Sequence, residues 1–386
     1  MTRWPKVRFG EFAPIVRRPV DIELKRSYPE LGIRSFGKGT FHKPPLTGAE
    51  VGTKRLFRIE ADDLMFSNVF AWEGAVAVAS QRDDGRFGSH RFISCAVDPS
   101  RADVHFLQRY FTASPDGVEQ LRQASPGGAG RNRTLGVDKL AELQVPLPPI
   151  EEQRAIVSRL DALTAKARQI ADRLDAIEAD AAALLRAYVF CPPGELVVRH
   201  RMSELVTQRQ PDVAVNGLRR YQFAGVYSFG RGVFASANKL GSEFAYERLS
   251  MVRAGDFIYP KLMAWEGALG VVPPKCDGMV VSPEFPVFSV NTELVLPEVL
   301  DIYFRTPDVW PALAAASGGT NMRRRRMQPS AFLTHTMPLP SMRTQLKIRE
   351  LQGHIQALKF RHAGIRAAND ALVPSTLERI FQRVTA

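Results

Sequence analysis

Two stretches of the chain place apolar residues alternately three and four positions apart, which is the spacing of a coiled-coil seam. The first covers residues 151–190 and follows a proline-rich turn at residues 146–149. Proline prevents the helix from extending backwards, and Glu151 and Glu152 place negative charge at the expected N-terminus. The pattern predicts a long helix with a seam of Ile156, Leu160, Leu163, Ala167, Ile170, Leu174, Ile177, Ala181, Leu184 and Tyr188.

Residues 341–386 carry a second seam. Its apolar positions are Ile348, Leu351, Ile355, Leu358, Ile365 and Leu372, and Pro374 interrupts the pattern. His362 and Asn369 occupy two further seam positions, where polar residues set the register of paired helices. A ligand or catalytic role for His362 is the alternative. The simplest arrangement pairs the two helices antiparallel, although two unrelated surface helices would show similar seams.

The regions 1–150 and 191–340 mix strand-like and helix-like patterns. Apolar runs predict strands at residues 74–79, 278–281 and 285–290, and helical spacing predicts short helices at residues 104–112 and 297–305. Glycine and proline separate these runs. Each region is therefore predicted to be a compact α/β domain with a curved sheet.

The chain contains an internal duplication. Residues 32–39 (GIRSFGKG) return as residues 225–232 (GVYSFGRG), an offset of 193. At the same offset the sequence Ala-Trp-Glu-Gly-Ala occurs at residues 71–75 and again at residues 264–268. Chance does not keep one register over so long a stretch, so the two regions are predicted to share one fold.

The duplication and the seams together predict the architecture. Two duplicated mixed α/β target-recognition domains, at residues 1–150 and 191–340, are separated by two long antiparallel coiled-coil helices, at residues 151–190 and 341–386. This α/β arrangement has pseudo-twofold symmetry.

Charge indicates a class of partner. The chain has 52 Lys and Arg residues against 40 Asp and Glu residues, a net charge of +12. The basic surplus lies everywhere except in residues 151–190, which carry 6 basic and 7 acidic residues. Neutralising phosphates releases condensed counterions, so the surplus favours a polyanionic partner. A merely basic protein without such a partner is the alternative.

Composition excludes several other classes. No apolar run reaches the roughly 18 residues that span a bilayer, and the N-terminus lacks the apolar segment of a secretory signal. Cys95, Cys191 and Cys276 are scattered, without the pairing of a metal site. These features predict a cytoplasmic protein with reduced thiols and no metal.

Catalytic motifs are absent from the sequence. It contains no Asn-Pro-Pro-aromatic tetrapeptide, no His-Glu-x-x-His, no Gly-x-Ser-x-Gly and no Cys-x-x-Cys. Residues 32–38 approximate a phosphate-binding loop, but Gly39 stands where Ser or Thr must bind Mg²⁺. The chain is therefore predicted to have no catalytic residues, and this segment to be a glycine-rich turn.

The glycine-rich turn is a candidate DNA contact, because glycines allow the backbone to approach closely. Lys38, His42 and Lys43 lie beside it in the first copy, and Arg231 takes the equivalent place in the second. Lys261, three residues before the second Ala-Trp-Glu-Gly-Ala, is a candidate phosphate contact.

A second candidate contact follows each Gly-Gly pair. The residues are Arg131, Asn132 and Arg133 in the first copy, and Asn321, Arg323, Arg324, Arg325 and Arg326 in the second. Arginine recognises guanine edges and asparagine recognises adenine, so these segments suit insertion into a groove. A solvated charged loop is the alternative.

Trp72 and Trp265 lie inside the two identical pentapeptides. A tryptophan between alanine and a glycine bend is typical of a core anchor. Identity in both copies also indicates a scaffold role, because residues that distinguish two DNA half-sites should differ.

The junction at residues 145–157, Val-Pro-Leu-Pro-Pro-Ile-Glu-Glu-Gln-Arg-Ala-Ile-Val, resembles the specificity subunits of Type I restriction–modification systems. In that family a proline-rich turn, a Glu-Gln pair and an apolar helix mark each junction between a recognition domain and a spacer helix. The distal junction keeps Pro-Leu-Pro and Gln345, but Thr344 stands where the first copy has Glu152. This departure weakens the expectation that both junctions contact a partner identically.

The resemblance covers nearly the whole chain and implies a function. It implies a non-catalytic subunit that binds a bipartite double-stranded DNA target, with one half read by each domain and the gap set by the helices. It implies assembly with two modification subunits, which methylate adenine at N6, and with restriction subunits. S-adenosylmethionine, ATP and Mg²⁺ are expected on those partners and no cofactor on this chain. The alternative is a coiled-coil scaffold or adaptor that does not read DNA sequence.

Overall fold

The structure, a computed structural model, describes residues 4–127, 133–318 and 325–382. The chain divides into two compact units. Unit 1 consists of residues 1–172 and 365–386, and unit 2 of residues 173–364. Each unit therefore combines one α/β region with parts of both long helices.

Unit 1 is built from short strands and helices. Its strands are β1 (Lys6–Arg8), β2 (Ile15–Val16), β3 (Pro19–Val20), β4 (Ser27–Tyr28), β5 (Leu31–Ile33), β6 (Thr40–His42), β7 (Leu46–Thr47), β8 (Leu56–Arg58), β9 (Leu64–Ser67), β10 (Val76–Val78), β11 (Phe87–Ser89), β12 (Phe92–Cys95) and β13 (Gln144–Pro146). Its helices are α1 (Gly48–Val51), α2 (Val104–Ala113), α3 (Pro115–Gln123), α4 (Val137–Ala141) and the first part of the long helix α5 (Ile150–Phe190). The largest sheet has the antiparallel order β10-β9-β12-β2, and β5 pairs with β6 in a hairpin.

Aromatic rings form the centre of unit 1. Phe9, Phe66 and Phe111 are fully buried, and their rings meet edge to face at centroid distances of 5.9, 5.5 and 5.3 Å. Phe111 lies on α2, which begins after Asp103, whose carboxylate accepts hydrogen bonds from the backbone N–H groups of the first turn. Burial of each such ring contributes on the order of 2 kcal/mol, so α2 is fixed firmly against the sheet.

Unit 2 repeats this construction. Its strands are β14 (Val198–Arg201), β15 (Val206–Arg209), β16 (Val213–Ala214), β17 (Arg220–Tyr227), β18 (Gly232–Leu240), β19 (Arg248–Met251), β20 (Phe257–Ile258), β21 (Gly270–Val271), β22 (Val280–Val281), β23 (Val287–Val290) and β24 (Thr336–Leu339). Its helices are the second part of α5, α6 (Met202–Leu205), α7 (Pro297–Arg305), α8 (Trp310–Ala316), α9 (Pro329–Thr334) and the first part of α10 (Met342–Gln382). The main sheets have the orders β16-β19-β22-β17-β18 and β15-β23-β20-β21.

The core of unit 2 also centres on phenylalanines. Phe332 of α9 packs against Phe257 and Phe288 at centroid distances of 5.3 and 5.0 Å, and Phe304 of α7 packs against Phe257 at 4.8 Å. α2 and α7 confirm the two short helices predicted from the sequence. Several small sheets in each unit replace the single curved sheet that the sequence predicts, because turns interrupt the strands after two to nine residues.

In unit 1 the first part of α5 packs antiparallel against the last part of α10. Asn369 Nδ2 donates a hydrogen bond to Ala167 O at 2.9 Å. Leu160 shares a buried cluster with Leu377. Residue numbers fall along one helix as they rise along the other, so the predicted antiparallel pairing is confirmed. Sliding the helices would leave the Asn369 amide unpaired, which fixes their register.

In unit 2 the second part of α5 packs antiparallel against the first part of α10. His362, 4% exposed, lies on this seam, and its Nδ1 is 2.9 Å from Glu178 Oε1. Leu185 of α5 is buried in the cluster against which Ile355 of α10 packs. His362 thus takes part in the pairing of the helices, as predicted for a polar seam position.

The seam of α5 departs from its predicted course. The predicted seam includes Ile170, Ile177 and Leu184, but these side chains are 38%, 46% and 46% exposed. On α10, the predicted seam residue Ile365 is also exposed, at 46%. The reason is helical twist: a helix of 3.6 residues per turn drifts by ~20° per heptad relative to a strict 3.5-residue repeat. The other seam residues are buried or half-buried, namely Ile156, Leu160, Leu163, Leu174, Ile348, Leu351, Ile355, Leu358 and Leu372.

Helix α10 continues through Pro374 to Gln382, so the interruption predicted there is wrong. Proline in a helix interior costs about 3 kcal/mol. Leu377 and Phe381, both buried in the core of unit 1, hold the last turns in place and offset that cost. Among the described residues, no helix is long and apolar enough to cross a bilayer.

A buried glutamine joins each α/β region to its long helix. In unit 1, Gln153 Oε1 accepts a hydrogen bond from Asp103 N at 2.8 Å, and Nε2 donates to Arg101 O at 3.0 Å and Pro148 O at 2.7 Å. The side chain thereby connects the segment before α2 to the start of α5, and it is fully buried.

Gln345 makes the same contacts in unit 2. Its Oε1 accepts from Leu296 N at 2.8 Å, and Nε2 donates to Leu294 O and Pro340 O, both at 2.9 Å. Gln345 is 1% exposed. The glutamine of the junction motif is thus a structural lock in both copies.

The two helices obtain N-terminal negative charge from different places. Glu151 and Glu152 lie in the first turn of α5. At α10 the carboxylate of Glu195 accepts hydrogen bonds from Ser341 N, from Ser341 Oγ at 3.1 Å and from Thr344 Oγ1 at 2.7 Å. These bonds, the backbone one first, hold the pKa of Glu195 below its ordinary value. Thr344, which departs from the motif, therefore belongs to an alternative cap of the helix.

Candidate nucleic-acid interface

In unit 1 the tip of the β5–β6 hairpin is bonded to the turn that carries Trp72. Phe36 N donates to Glu73 O and Gly37 N donates to Gly74 O, both at 2.9 Å. Ser35 Oγ donates to Glu73 Oε2 at 3.1 Å. Phe36 has φ +61°, which costs a non-glycine residue roughly 1–2 kcal/mol. These contacts hold the tip in one shape against the turn.

Unit 2 has the same arrangement at the β17–β18 hairpin. Phe229 N donates to Glu266 O at 2.9 Å, Gly230 N donates to Gly267 O at 3.0 Å, and Ser228 Oγ donates to Glu266 Oε1. Phe229 has φ +62°. The duplicated Ser-Phe-Gly and Trp-Glu-Gly sequences thus form one docking contact, which we call the hairpin-tip contact.

Glycine in the first strand of each hairpin lets a phenylalanine ring cover the backbone. A Cβ atom on Gly32 would lie 2.2 Å from the Phe41 ring, and one on Gly225 would lie 2.7 Å from the Phe234 ring. Both distances are shorter than any van der Waals contact, so only glycine fits here. This explains why both members of each pair recur in the duplication.

The arginine segments, residues 128–134 and 319–326, end on corresponding backbone contacts. In unit 1, Asn68 N donates to Arg91 O at 2.7 Å, and Leu135 N donates to Asn68 O at 2.8 Å. Asn68 comes shortly before the turn that binds the hairpin tip. One stretch of unit 1, residues 68–74, therefore anchors both segments that the sequence indicates as DNA contacts.

In unit 2, Lys261 N donates to Glu284 O at 3.0 Å, and Met327 N donates to Lys261 O at 2.8 Å. Lys261 and Glu284 are the counterparts of Asn68 and Arg91 at the offset of 193. The backbone is the same, but the charge at one position is reversed.

Lys38 and Arg231 lie exposed on the two hairpin tips. Lys38 Nζ is 5.9 Å from the Phe36 ring centroid, and the Arg231 guanidinium lies 4.9 Å from the Tyr227 ring centroid. Phe36 and Phe229 are 71% and 61% exposed. Sequence reasoning missed these two rings because phenylalanine is usually buried. A cation beside an exposed ring suits contact with the sugar and phosphate of a nucleic acid.

His42 and Lys43 are tied to carboxylates of unit 1. His42 Nε2 is 2.8 Å from Asp83 Oδ1, and Lys43 Nζ is 3.7 Å from Glu30 Oε2. Burial raises the pKa of Asp83, but hydrogen bonds from Ser80, His42 and Thr40 outweigh burial and leave the pKa below its ordinary value. These two contacts hold the second strand of the hairpin against the rest of unit 1. A DNA contact by His42 or Lys43 stays a prediction.

Arg133 lies over Trp72, with its guanidinium carbon 5.4 Å from the ring centroid. Trp72 is half-buried, and its Nε1 donates to Val69 O at 3.0 Å. Trp265 in unit 2 is half-buried as well. Both tryptophans lie in the turns that bind the hairpin tips, and neither is fully buried in a core. Arg131 and Asn132 lie outside the described residues.

The corresponding cations of unit 2 are held locally. Lys261 Nζ donates to Pro283 O at 3.0 Å, and Arg326 Nη1 is 3.0 Å from Glu284 Oε2. Arg325 is half-buried. Asn321, Arg323 and Arg324 lie outside the described residues.

Beside each hairpin lies a cleft that the sequence did not indicate. The cleft of unit 1 has a volume of about 490 Å³ and that of unit 2 about 360 Å³. Seven lining positions correspond in the two clefts: Glu30, Gly32, Ile33, Phe41, Lys43, Ser89 and Phe92 in unit 1, and Phe223, Gly225, Val226, Phe234, Ser236, Ser282 and Phe285 in unit 2. The clefts form from residues far apart in sequence, which periodicity does not reveal.

Residues 1–179 match the family model described as the Type I restriction modification DNA specificity domain. Two solved structures are similar in fold over almost the whole chain. The HsdS subunit from Thermoanaerobacter tengcongensis is 19% identical with a TM-score of 0.59, covering 99% of this chain and 96% of that one. A structure concerned with complex assembly and conformational transition of the type I R-M system is 18% identical with a TM-score of 0.65, covering 98% and 97%. No curated protein matches the sequence significantly.

Proposed function

We propose that this chain, whose residues 1–179 match the model of the Type I restriction modification DNA specificity domain, reads a split double-stranded DNA target. Unit 1 reads one half of the target and unit 2 reads the other. The second half of the chain repeats the first at a fixed offset, so the domain recognised by the family model occurs twice.

One observation carries this proposal: the hairpin-tip contact and the anchored arginine segment occur in both units, while the charged side chains around them differ. Arg91 in unit 1 corresponds to Glu284 in unit 2, and Lys43 corresponds to Ser236. A scaffold that keeps its backbone and changes its surface chemistry is what two unlike half-sites require.

The long helices supply a surface for protein partners. In unit 2, Ile177 and Leu184 lie seven residues apart on one face of α5, each 46% exposed, and Phe360 of α10 is 83% exposed. Apolar side chains on a helix surface favour contact with another protein. We assign this surface to modification subunits, two per assembly, with restriction subunits joining the same complex.

The chemistry of methylation and cleavage belongs to those partners. Members of this family are generally non-catalytic, and the chain contains none of the catalytic motifs sought in its sequence. S-adenosylmethionine, ATP and Mg²⁺ are expected on the partner subunits, in the cytoplasm where the DNA lies.

Methylome sequencing of cells with and without this chain tests the proposal. The chain should be required for adenine-N6 methylation of one split motif. A methylome that does not change when the chain is removed, together with partner binding that persists, would favour a scaffold that does not read DNA.

A further inference from the structure

A buried carboxylate faces the cleft of unit 1 without a full set of hydrogen bonds. Glu30 is 7% exposed and lines this cleft. Its Oε2 is 3.7 Å from Lys43 Nζ, but Oε1 is buried and has no hydrogen-bond partner in the protein. A buried acceptor without a hydrogen bond destabilises the fold by roughly 1–3 kcal/mol. A ligand that donates a hydrogen bond to Oε1 would remove this cost, which would favour its binding.

The lining of the cleft combines apolar and cationic side chains. Ile33, Phe41, Phe70 and Phe92 give apolar walls, and the lining also includes the cations Lys43, Lys54 and Arg91. Apolar walls exclude water and strengthen a hydrogen bond to Glu30. The cations offset the repulsion between Glu30 and nearby phosphates, so a nucleic acid can approach a site that contains a carboxylate.

We propose that the cleft of unit 1 receives the amino edge of one cytosine, with Glu30 Oε1 accepting a hydrogen bond from N4. This inference rests on the proposed function, in which unit 1 reads half of a DNA target. Glutamate pairs with cytosine N4, whereas guanine and thymine present acceptor oxygens that a carboxylate repels. Adenine places its N7 acceptor beside its amino group, so it fits a carboxylate less well.

The cleft of unit 2 lacks this chemistry. Phe223 occupies the position of Glu30, and Ser236 that of Lys43. Phe223 packs against Phe244, with ring centroids 5.3 Å apart. The requirement for cytosine is therefore confined to the half of the target that unit 1 reads.

The substitution Glu30→Gln, made in the full chain assembled with its modification subunits, tests the inference. Gln has the same shape but pairs with adenine N6 and N7. Methylome sequencing should show a fixed cytosine in one half of the wild-type motif. Glu30→Gln should lower the preference for that cytosine over adenine by about 5- to 140-fold and leave the other half unchanged. An unchanged preference at every cytosine, or a wild-type motif without cytosine in either half, overturns the inference.

Two further variants keep the test decisive. Glu247→Gln removes an exposed carboxylate of unit 2 and should leave the motif unchanged. Glu30→Asp serves if the Gln variant does not fold: it should keep the cytosine but methylate the motif at least about fivefold more slowly, and an unchanged rate contradicts the inference. A wild-type complex that methylates no split motif defeats the proposed function, whereas an intact motif that ignores Glu30 defeats only this inference.

Discussion

Units 1 and 2 agree in the hydrogen bonds that join the hairpin tip and the long helix to each α/β region, and differ in side chains that line a cleft or carry charge. Gln153 and Gln345 make the same three hydrogen bonds, and Phe36 and Phe229 dock on the same turn with matching φ. In contrast, Glu30 of the first cleft is replaced by phenylalanine in the second. These hydrogen bonds hold the backbone in the same shape in each copy, so folding fixes the residues that make them, whereas the charged side chains around them can vary with the DNA that each unit reads.

The largest effect is expected at the two junction glutamines, Gln153 and Gln345, and it tests whether they stabilise their units equally. Gln153→Leu and Gln345→Leu each remove three hydrogen bonds from a buried side chain to the backbone, so each should destabilise its unit by about 3 kcal/mol. Urea unfolding would measure both variants, with the exposed neighbour Arg154→Gln as control. A loss of unfolding free energy in only one of the two variants would show that the two glutamines are not equivalent.

The second prediction separates two glycines at the same position of the hairpin-tip contact. Gly74 and Gly267 have φ +74° and +80°, but a Cβ atom would lie 3.6 Å from Phe36 in unit 1 and only 2.4 Å from Trp310 in unit 2. Gly74→Ala should cost about 1 kcal/mol from strain, and Gly267→Ala about 2–3 kcal/mol because the ring must move. Equal losses of unfolding free energy would contradict this difference.

The third prediction concerns pH and applies to unit 1 alone. Asp83 has a lowered pKa, so its ionised form stabilises the fold above its ordinary value of 3.8, and this contribution is lost as pH falls through the folded-state pKa. Its counterpart in unit 2, Cys276, is a buried thiol. Asp83→Asn should cost about 1–2 kcal/mol at neutral pH.

The pH series provides the control for that variant. The difference in unfolding free energy between wild type and Asp83→Asn should shrink as the pH is lowered below 3.8. A difference that does not change with pH would mean that the charge of Asp83 is not what holds the hairpin.

The smallest effects are expected at the hairpin tips. Lys38→Ala and Arg231→Ala should each weaken binding to duplex DNA by about 1 kcal/mol or less and reduce the salt slope by about one. Binding titrations at several salt concentrations would measure both, and Lys166→Ala, at an exposed lysine of the long helix α5, serves as a control. If neither slope changes, these cations do not face phosphate.

Local patterns predicted much of this architecture. Proline and heptad spacing located the starts of α5 and α10, and the duplication indicated two related units. The sequence did not predict the exposure of Ile177 and Leu184, because it results from helical twist. Nor did it predict that α10 continues through Pro374, because the packing of Leu377 and Phe381 makes this possible. These effects depend on tertiary partners that a local pattern does not contain.

The candidate site was less accessible to sequence reasoning. Lys38 and Arg231 were identified because glycines mark their turn, and they lie exposed as expected. Glu30 and the clefts were missed, since an acidic residue does not indicate DNA binding by its type. The Glu195 cap of α10 was missed because its partners, Ser341 and Thr344, lie about 150 residues away in sequence.

The central claim is that each unit reads its own half of one DNA target from a shared scaffold. The most direct test replaces residues 196–340 with residues 3–148, so that the chain carries two copies of the first α/β region, and sequences the methylome of cells that express it. The account predicts a motif made of two copies of a single half-site. Continued methylation of the original motif with two unlike halves would contradict it.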